Sequence, residues 1–391
     1  MLGNLPALRR HNDALVLGLV RAAGADGVSR GELAEAAGLT PQAVSKITGR
    51  LGAEGLLAEA GRRTSTGGKP RTALRVEPSA RHAVGLHLDR DELTAVVVDL
   101  TGAVVAELGA GVGLGAGVDV VVERAAEVVG ALVRSALAGG RAAEGAATGS
   151  AAAGSAGAGS AAARSAGVGR AGVGRAWPDS LVGVGVASPG PLDHGAGVLG
   201  RVTGLPPWDG FPLRRVFAER LVGLPVALDK DTNAAALALT GTAGGSFAYL
   251  HLATGLGAGL VLDGDVYRGP RTGAGEFGHQ VVQLDGPRCE CGRRGCLEAV
   301  CLAAVARGDT AEAARVLGVG AAGLVRLLDV DRLLLGGRTV LGAPEPYLAG
   351  VRAELGAAAV GCDLAPGGGR LVAEGAAELA LAPLFGRAAA N

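Results

Sequence analysis

Residues 275–298, "GEFGHQVVQLDGPRCECGRRGCLE", concentrate metal-binding side chains in a chain of 391 residues that has only five cysteines. One histidine and three cysteines stand out, namely His279, Cys289, Cys291 and Cys296. One imidazole and three thiolates complete a tetrahedral zinc site with no position open to water, which is typical of a structural site. The segment therefore predicts one structural Zn²⁺. The alternative is that its thiols are simply buried in a core.

The other two cysteines, Cys301 and Cys362, lack such neighbours, and we expect them to be ordinary packed thiols. This cysteine usage suits a reducing cytoplasm and a metal site better than a disulfide framework. The first apolar run, "ALVLGLV" at 14–20, has seven residues, which fits neither a signal peptide nor a membrane span. We expect a cytoplasmic protein with no membrane partner.

The chain divides by composition. Residues 139–176 are nearly all Ala, Gly, Ser and Arg, which predicts a disordered, low-complexity insertion. On either side, short β-rich runs such as "HAVGLHLD" alternate with helical ones such as 117–137, a pattern that predicts an α/β core. The opening segment lacks this alternation. We place the boundary near Glu77-Pro78, with domains at 1–78 and 79–391.

Signals for two helices and a tight turn lie in the stretch "SRGELAEAAGLTPQAVSKITGRLGAEGLL". Ser29 can cap the first helix, and Glu32 stands three residues later, as a capping box requires. Gly38 can end that helix in the left-handed conformation. Thr40 can cap the next helix, with Pro41 at its first position.

This second helix, about 41–54, buries Val44, Ile47 and Leu51 on one face. Its opposite face carries polar side chains that can contact bases and phosphates in a major groove. These candidate DNA-binding residues are Gln42, Ser45, Lys46 and Arg50. The alternative is a helical hairpin whose charged face is merely solvated.

A hairpin follows, and its tip at 62–75 carries five basic residues and no acidic one, as expected of a DNA-binding wing. The wing candidates are Arg62, Arg63, Lys69 and Arg71. Residues 1–80 hold eleven Lys and Arg against seven Asp and Glu. Because that excess is modest, we expect affinity for a double-stranded operator to need a homo-oligomer, a dimer or tetramer, on two half-sites.

The "GEFGH" and "CECGRRGCLE" blocks resemble the signature of the ROK family (repressors, open reading frames, kinases), E-x-G-H followed by C-x-C-G-x-x-G-C-x-E. Further blocks agree in order, among them "VGVGVASPGPLDHGAGVL", "DKDTNAAALA", "ATGLGAGLVLDG" and "LLDVDRLLLGGR". The resemblance spans about 82–340, and the helix-turn-helix in front matches the repressor branch. It implies a two-lobed, actin-like (ribonuclease H-like) α/β module with a structural zinc.

In kinases of this family the first strand turns into a D-x-G-G-T loop that holds the ATP phosphates. The matching stretch here is "LDRDE", with Asp89, Asp91 and Glu92 around Arg90. Three carboxylates repel a polyphosphate, and their Cβ atoms close the approach. We therefore expect neither ATP as a cofactor nor catalysis. The alternative is an active, glucokinase-like sugar kinase that carries an extra DNA-binding domain.

The resemblance also implies a sugar pocket. It places Asp231 where the kinases keep the aspartate that accepts the proton of the sugar hydroxyl. Glu276, His279 and Glu298 match positions that hold sugar hydroxyls, with His279 shared with or adjacent to the zinc. These four residues are the candidate ligand site for a sugar or sugar phosphate effector.

Two departures from the family pattern and two non-functional explanations weaken the prediction of that site. Asparagines of the family are replaced by Lys230 and Gly204, which favours a regulator whose module has lost its sugar and serves only to dimerise. Asp231 can equally be a helix cap, and Glu298 a solvated helix residue. The most economical interpretation remains a ROK-type transcriptional repressor with a degenerate sensor domain.

Overall fold

The computed structural model describes the chain over the ranges 5–63, 71–137, 177–202, 205–357 and 359–387. The predicted insertion at 139–176, the wing residue Lys69 and Gly204 fall outside these ranges. Within them, no helix combines the length and the apolar character needed to cross a bilayer.

Three helices and a three-stranded sheet form the N-terminal unit, which we call the head. The helices are α1 (Leu5–Ala22), α2 (Arg30–Ala37) and α3 (Pro41–Ala53). The antiparallel strands follow the order β1 (Val28–Ser29), β3 (Arg71–Val76) and β2 (Leu57–Arg63). The order of helices and hairpin is that of a winged helix-turn-helix.

The predicted helix signals of the head are confirmed. Ser29 Oγ accepts a hydrogen bond from the Glu32 backbone N–H, and the Glu32 carboxylate accepts one from the Ser29 N–H, so the capping box is complete. Gly38 ends α2 with φ of 63°. Thr40 Oγ1 accepts from the Ala43 N–H at 3.2 Å at the start of α3. Local sequence thus sets both helix boundaries.

The first lobe is a five-stranded mixed sheet in the order β10-β7-β4-β5-β6. Its strands are β4 (His82–Leu88), β5 (Leu93–Asp99), β6 (Val104–Ala110), β7 (Leu181–Ser188) and β10 (Val226–Lys230). A small hairpin, β8 (Leu192–Asp193) and β9 (Val198–Leu199), precedes β10. Buried side chains of α4 (Val118–Leu137) and α5 (Leu213–Arg220) cover one face of the large sheet. The predicted helix near 117–137 is confirmed as α4.

The second lobe is a five-stranded sheet in the order β13-β12-β11-β14-β15. Its strands are β11 (Phe247–Leu252), β12 (Leu256–Leu262), β13 (Asp265–Val266), β14 (Arg332–Gly336) and β15 (Gly361–Leu364). Its helices are α7 (Leu297–Ala306), α8 (Thr310–Leu328), α9 (Arg338–Gly342) and α10 (Pro344–Leu355). One face packs on α7, α8 and α10.

Two further helices fill the layer between the sheets. They are α6 (Asp231–Ala243) and α11 (Leu371–Leu381), which share one apolar cluster with strands of both lobes. Half of their residues in this cluster are alanine, namely Ala234, Ala235, Ala236 and Ala376, so the two helices approach the strands and each other closely. The predicted α/β architecture is confirmed, and α6 carries one of the candidate ligand residues at its start.

Candidate ligand pocket, metal centre and nucleic-acid interface

The four predicted ligand residues meet at one cavity of about 80 Å³ between the lobes. Asp231 is the first residue of α6, Glu276 and His279 lie on the segment after β13, and Glu298 is the second residue of α7. Asp231 follows the parallel strand β10 of the first lobe, whereas the other three residues lie within 23 residues of one another in the second lobe, so the fold brings the two groups together. The cavity lies in the cleft where doubly wound folds commonly hold ligands.

Asp231 combines a local bond with a buried position. Its Oδ1 accepts the Thr232 N–H at 2.6 Å, and the helix N-cap is Lys230, whose side chain makes no cap bond. Burial raises the pKa of the Asp231 carboxyl to about 7, against the opposing effect of the Lys230 ammonium. A carboxyl with such a pKa is available at neutral pH as either a hydrogen-bond donor or an acceptor.

Lys230 does more than remove a family contact. Its Nζ donates to the Ala274 carbonyl at 2.7 Å and to Glu276 Oε1 at 3.3 Å, and its side chain is 5% exposed. From the sequence, Lys230 indicates only that the amide group of the family's asparagine is missing. In the fold it forms an ion pair with Glu276, so one candidate sugar contact already has an internal partner.

Glu298 is not a freely solvated helix residue, and that alternative is wrong. Its Oε2 accepts a hydrogen bond from the Leu256 N–H at 2.8 Å, and the side chain is half-buried. It therefore ties the start of α7 to the start of β12 on the wall of the cavity. A carboxylate that already accepts a backbone N–H is held in one orientation.

The predicted metal ligands also converge. The donor atoms of His279, Cys289, Cys291 and Cys296 all lie within 4.8 Å of one another. Cys289 Sγ is 3.7 Å from His279 Nδ1, and the Cys291 and Cys296 sulfurs are 3.6 Å apart. Sulfurs bound to one zinc at about 2.3 Å would stand about 3.8 Å apart in a tetrahedron. The cluster therefore fits one four-coordinate metal ion.

The backbone around the cluster depends on a glycine. Gly295 has φ of 66°, and a Cβ there would lie 1.4 Å from the Gln283 carbonyl oxygen. Only glycine fits this position, and it allows the loop to return Cys296 to the other ligands. Burial raises the pKa of the Cys289 thiol to about 12, so a cation is needed to hold that thiol as thiolate.

The end of the cleft where the resemblance places the ATP phosphates, which we call the nucleotide end, contains an arginine that the sequence analysis missed. Arg338, the first residue of α9, donates to Asp89 Oδ2 at 3.2 Å and to Asp91 Oδ2 at 2.8 Å. These bonds join the β4-β5 turn of the first lobe to the second lobe. They also correct the charge argument, because two of the three carboxylates are partly neutralised. Arg338 is the last residue of the block "LLLGGR", but nothing in the sequence indicates that it pairs with Asp89 and Asp91.

Two buried histidines stand beside this ion-pair group and were also missed. Burial lowers the pKa of both His87 and His251 to about 4, so both are neutral near pH 7. His251 Nδ1 is 2.8 Å from the Tyr249 hydroxyl. At this end His251 is therefore a neutral, hydrogen-bonded part of the cavity lining.

The exposed face of α3 presents Gln42, Ser45 and Lys46, as predicted. Arg50 differs, because its guanidinium pairs with Asp13 of α1 and its Nε is buried without a partner. The Arg50 side chain is 40% exposed, and its role at a DNA groove stays a prediction. Arg50 lies where α3 packs on α1, and it holds the two helices together.

The wing candidates lie on or beyond the described hairpin. Arg62 and Arg63 are the last residues of β2, and Arg71 is the first of β3, with Arg63 opposite Arg71. Lys69 belongs to the tip, outside the described residues. The hairpin thus puts three of the four wing arginines and lysines at one end of the head.

A family model described as "ROK family" matches residues 175–308. The kanosamine kinase of Amycolatopsis mediterranei is 33% identical over 209 residues, 45% of this chain and 68% of that protein. The chain belongs to the ROK family. This membership explains the order of the sugar and metal blocks along the sequence.

Other relatives are regulators. The xylose repressor of Caldicellulosiruptor bescii is 25% identical over 303 residues, 76% of this chain, and the match spans less than two thirds (65%) of the repressor. A solved ROK family transcriptional regulator, a homologue of the E. coli MLC protein, superposes with a TM-score of 0.70 at 20% identity. That likeness covers 97% of this chain and 98% of the regulator, so the fold is shared over head and lobes.

Proposed function

We propose that the chain is a DNA-binding transcriptional repressor whose ROK module is a non-catalytic sugar sensor. The observation that carries this proposal is the head: a fully capped helix-turn-helix whose α3 exposes Gln42, Ser45 and Lys46. The likeness to a xylose repressor over three quarters of the chain supports it.

In this proposal the domain of residues 1–78 binds a double-stranded operator. Gln42 and Ser45 face base edges, Lys46 faces a phosphate or a guanine, and the wing residues Arg62, Arg63, Lys69 and Arg71 hold the backbone. Arg50 acts by fixing α3 on α1. A homodimer or tetramer presents two heads to two half-sites about one helical turn apart.

The domain of residues 79–391 holds the effector. Asp231, Glu276, His279 and Glu298 bind hydroxyls of a sugar or sugar phosphate, and an absent hydroxyl leaves a buried carboxyl unsatisfied. His279, Cys289, Cys291 and Cys296 hold a structural Zn²⁺, which supplies fixed geometry to this wall of the pocket. His279 belongs to both sets, so the metal site orients a ligand contact.

An enzyme is the second candidate, because one relative is a kanosamine kinase. The loop at Asp89 and Asp91 argues against it: by the resemblance it stands where the family's kinases hold the ATP phosphates, and its ion pairs with Arg338 close it against the second lobe. A coupled assay with ATP and a panel of hexoses and amino sugars separates the two. Turnover of roughly 1 to 100 per second would establish a kinase.

A third candidate is a regulator that has lost its sugar, which the Lys230–Glu276 ion pair supports. Thermal unfolding with the same sugars tests it. A bound sugar at 100 times its Kd stabilises the fold by about 2.7 kcal/mol. If no sugar shifts the transition, this candidate replaces the sensor.

The DNA proposal is tested with duplexes that the full chain selects from a random library. Lys46→Ala should weaken binding and reduce the slope of log affinity against log salt by about one. Gln42→Ala should relax preference at one base pair by about 1 to 3 kcal/mol. Arg124→Ala, at an exposed position of α4, is the matched control. Binding by Lys46→Ala and Gln42→Ala equal to that of the parent would refute the head assignment.

A further inference from the structure

The pocket lies at one end of a helix that is locked to its neighbours by backbone contacts. Asp231 and Thr232 line the cavity at the start of α6. Thr232 is buried, and its Oγ1 has no hydrogen-bond partner in the described structure. On β12, a Cβ at Gly259 would lie 2.0 Å from the Thr232 carbonyl oxygen. Any ligand that bonds Thr232 or Asp231 therefore acts on the end of α6 directly.

Helix α11 is in equally close contact with α6 and with the first sheet. A Cβ at Gly375 of α11 would lie 1.8 Å from the Ala234 carbonyl oxygen of α6. On the sheet, a Cβ at Gly85 would lie 1.9 Å from the Ala373 oxygen, and one at Gly185 would lie 1.7 Å from the Ala376 oxygen. No layer of side chains is left between these backbones to absorb a shift. Close-packed interiors transmit strain, so α6 and α11 must move together.

The far end of α11 holds the head. Arg21, in the last turn of α1, donates to Glu378 Oε2 at 2.8 Å and to the Thr101 carbonyl at 3.0 Å, and it stacks 4.6 Å from the centre of the Phe385 ring. The Arg21 and Glu378 side chains are 20% and 18% exposed. A Cβ at Gly102, where φ is 90°, would lie 2.5 Å from the Arg21 guanidinium. The site for this arginine is therefore shaped by the sensor module.

A second set of contacts joins the same three parts. Arg387, just after α11, donates to Thr240 Oγ1 of α6 at 3.3 Å. A Cβ at Gly386 would lie 3.1 Å from Ala14 Cβ of α1. Leu100 of the first lobe is fully buried within the apolar cluster of the head. The head thus meets the module through a buried apolar contact at Leu100 and through contacts of the residues that follow α11.

Resting on the proposed function, we infer that α6 and α11 form the route by which the pocket controls the head, with Arg21 and Glu378 as positioning residues at its end. A ligand that shifts the start of α6 displaces α11, and Glu378 carries Arg21 and α1 with it. Occupied and empty pockets then favour different head positions, and DNA and sugar affinities are coupled reciprocally.

One arm of the test needs neither DNA nor sugar. Amide hydrogen exchange is followed in α1 of the full chain for the parent, Asp231→Asn, Arg21→Gln and the double variant. Asp231→Asn should change α1 exchange by about five-fold or more in the parent and by much less in the Arg21→Gln background. An equal effect in both backgrounds, or none in the parent, overturns the inference. Arg9→Gln, also on α1 but exposed, is the control. In that background Asp231→Asn should change α1 exchange as much as it does in the parent.

The second arm measures coupling, with D-xylose and D-glucose as the added sugars and a duplex selected by the parent. A sugar that raises the parent's unfolding temperature should change its DNA affinity by about five-fold or more. Arg21→Gln and Glu378→Gln should keep DNA binding and the thermal shift but lose most of that change. Undiminished coupling in both variants overturns the route. If the parent binds no duplex, that result counts against the proposed function. It does not affect the exchange experiment, which uses no DNA.

Discussion

The two ends of the cleft differ in how their charges are held. We call the end of the cleft that contains the four candidate ligand residues the sugar end. There the Lys230 ammonium is almost fully buried against Glu276, and burial raises the pKa of Asp231 to about 7. At the nucleotide end, Asp89 is 11% exposed, but its partner Arg338 and the second carboxylate, Asp91, are 40% and 63% exposed. Buried charges have large effects on stability, whereas exposed pairs have small ones. The two ends therefore differ in how strongly a substitution of a charged residue is expected to change stability.

The largest effect should come from the metal cluster at the sugar end. Cys291→Ser should reduce bound zinc from one per chain toward zero. It should lower the free energy of unfolding by about 4 kcal/mol, the contribution of a ligand present at 1,000 times its Kd. Metal analysis and denaturant unfolding measure both. Cys362→Ser, in β15, is the control and should retain the metal; full zinc in Cys291→Ser would contradict the site.

The Lys230–Glu276 pair should show an asymmetry. Glu276→Gln leaves an ammonium with 5% exposure without its carboxylate, so we expect a loss of about 3 kcal/mol. Lys230→Met leaves a carboxylate that is 35% exposed and can be hydrated, and should cost about 1 kcal/mol or less. Denaturant unfolding of both variants decides the matter. Equal losses would mean that Lys230 is not buried as described.

Asp231 should make stability depend on pH in an unusual direction. Because its pKa rises from 3.8 unfolded to about 7 folded, the folded state binds the extra proton between these values. The contribution of protonated Asp231 to the free energy of unfolding is therefore fully present below about pH 4 and is lost as pH rises through 7. Asp231→Asn should be more stable than the parent by about 2 kcal/mol at pH 8, and by less at pH 5. A pH-independent difference would contradict the raised pKa.

The smallest effect should come from the nucleotide end. Arg338→Gln removes an arginine that is 40% exposed, and the less exposed carboxylate, Asp89, still accepts hydrogen bonds from the Arg90 N–H and the Thr254 hydroxyl. We therefore expect a loss of about 1 kcal/mol or less at low salt, and a smaller one in 1 M salt. Unfolding in both salt conditions measures it. If this variant phosphorylates sugars with ATP, Arg338 alone suppresses catalysis in the parent. The nucleotide end would then have kept its catalytic function, as a small electrostatic change would be enough to restore it.

Some of this molecule was predictable because the signals act over a few residues. Ser29 and Glu32 are three apart, and the capping box they predict is present. The ligands Cys289, Cys291 and Cys296 are close in sequence and adjacent in the fold. In each case the chain cannot separate the partners far, so spacing and residue type are enough.

The missed contacts share the opposite property. Arg50 is 37 residues from its partner Asp13, Lys230 is 46 from Glu276, and Arg338 is 249 from Asp89. The hydrophobic pattern on α3 correctly placed Val44 and Ile47 inside but could not show that Arg50 meets another helix.

The sequence alone determined the family, the capped helices of the head, the alternating strands and helices, and the four residues of the cluster that could hold a metal ion. Tertiary structure decided which charges are neutralised, which candidate residues are already occupied, and how the head is joined to the pocket. The physical reason is that caps and turns depend on neighbours along the chain. Ion pairs and backbone contacts depend instead on where distant elements pack, which only the assembled sheets and helices fix.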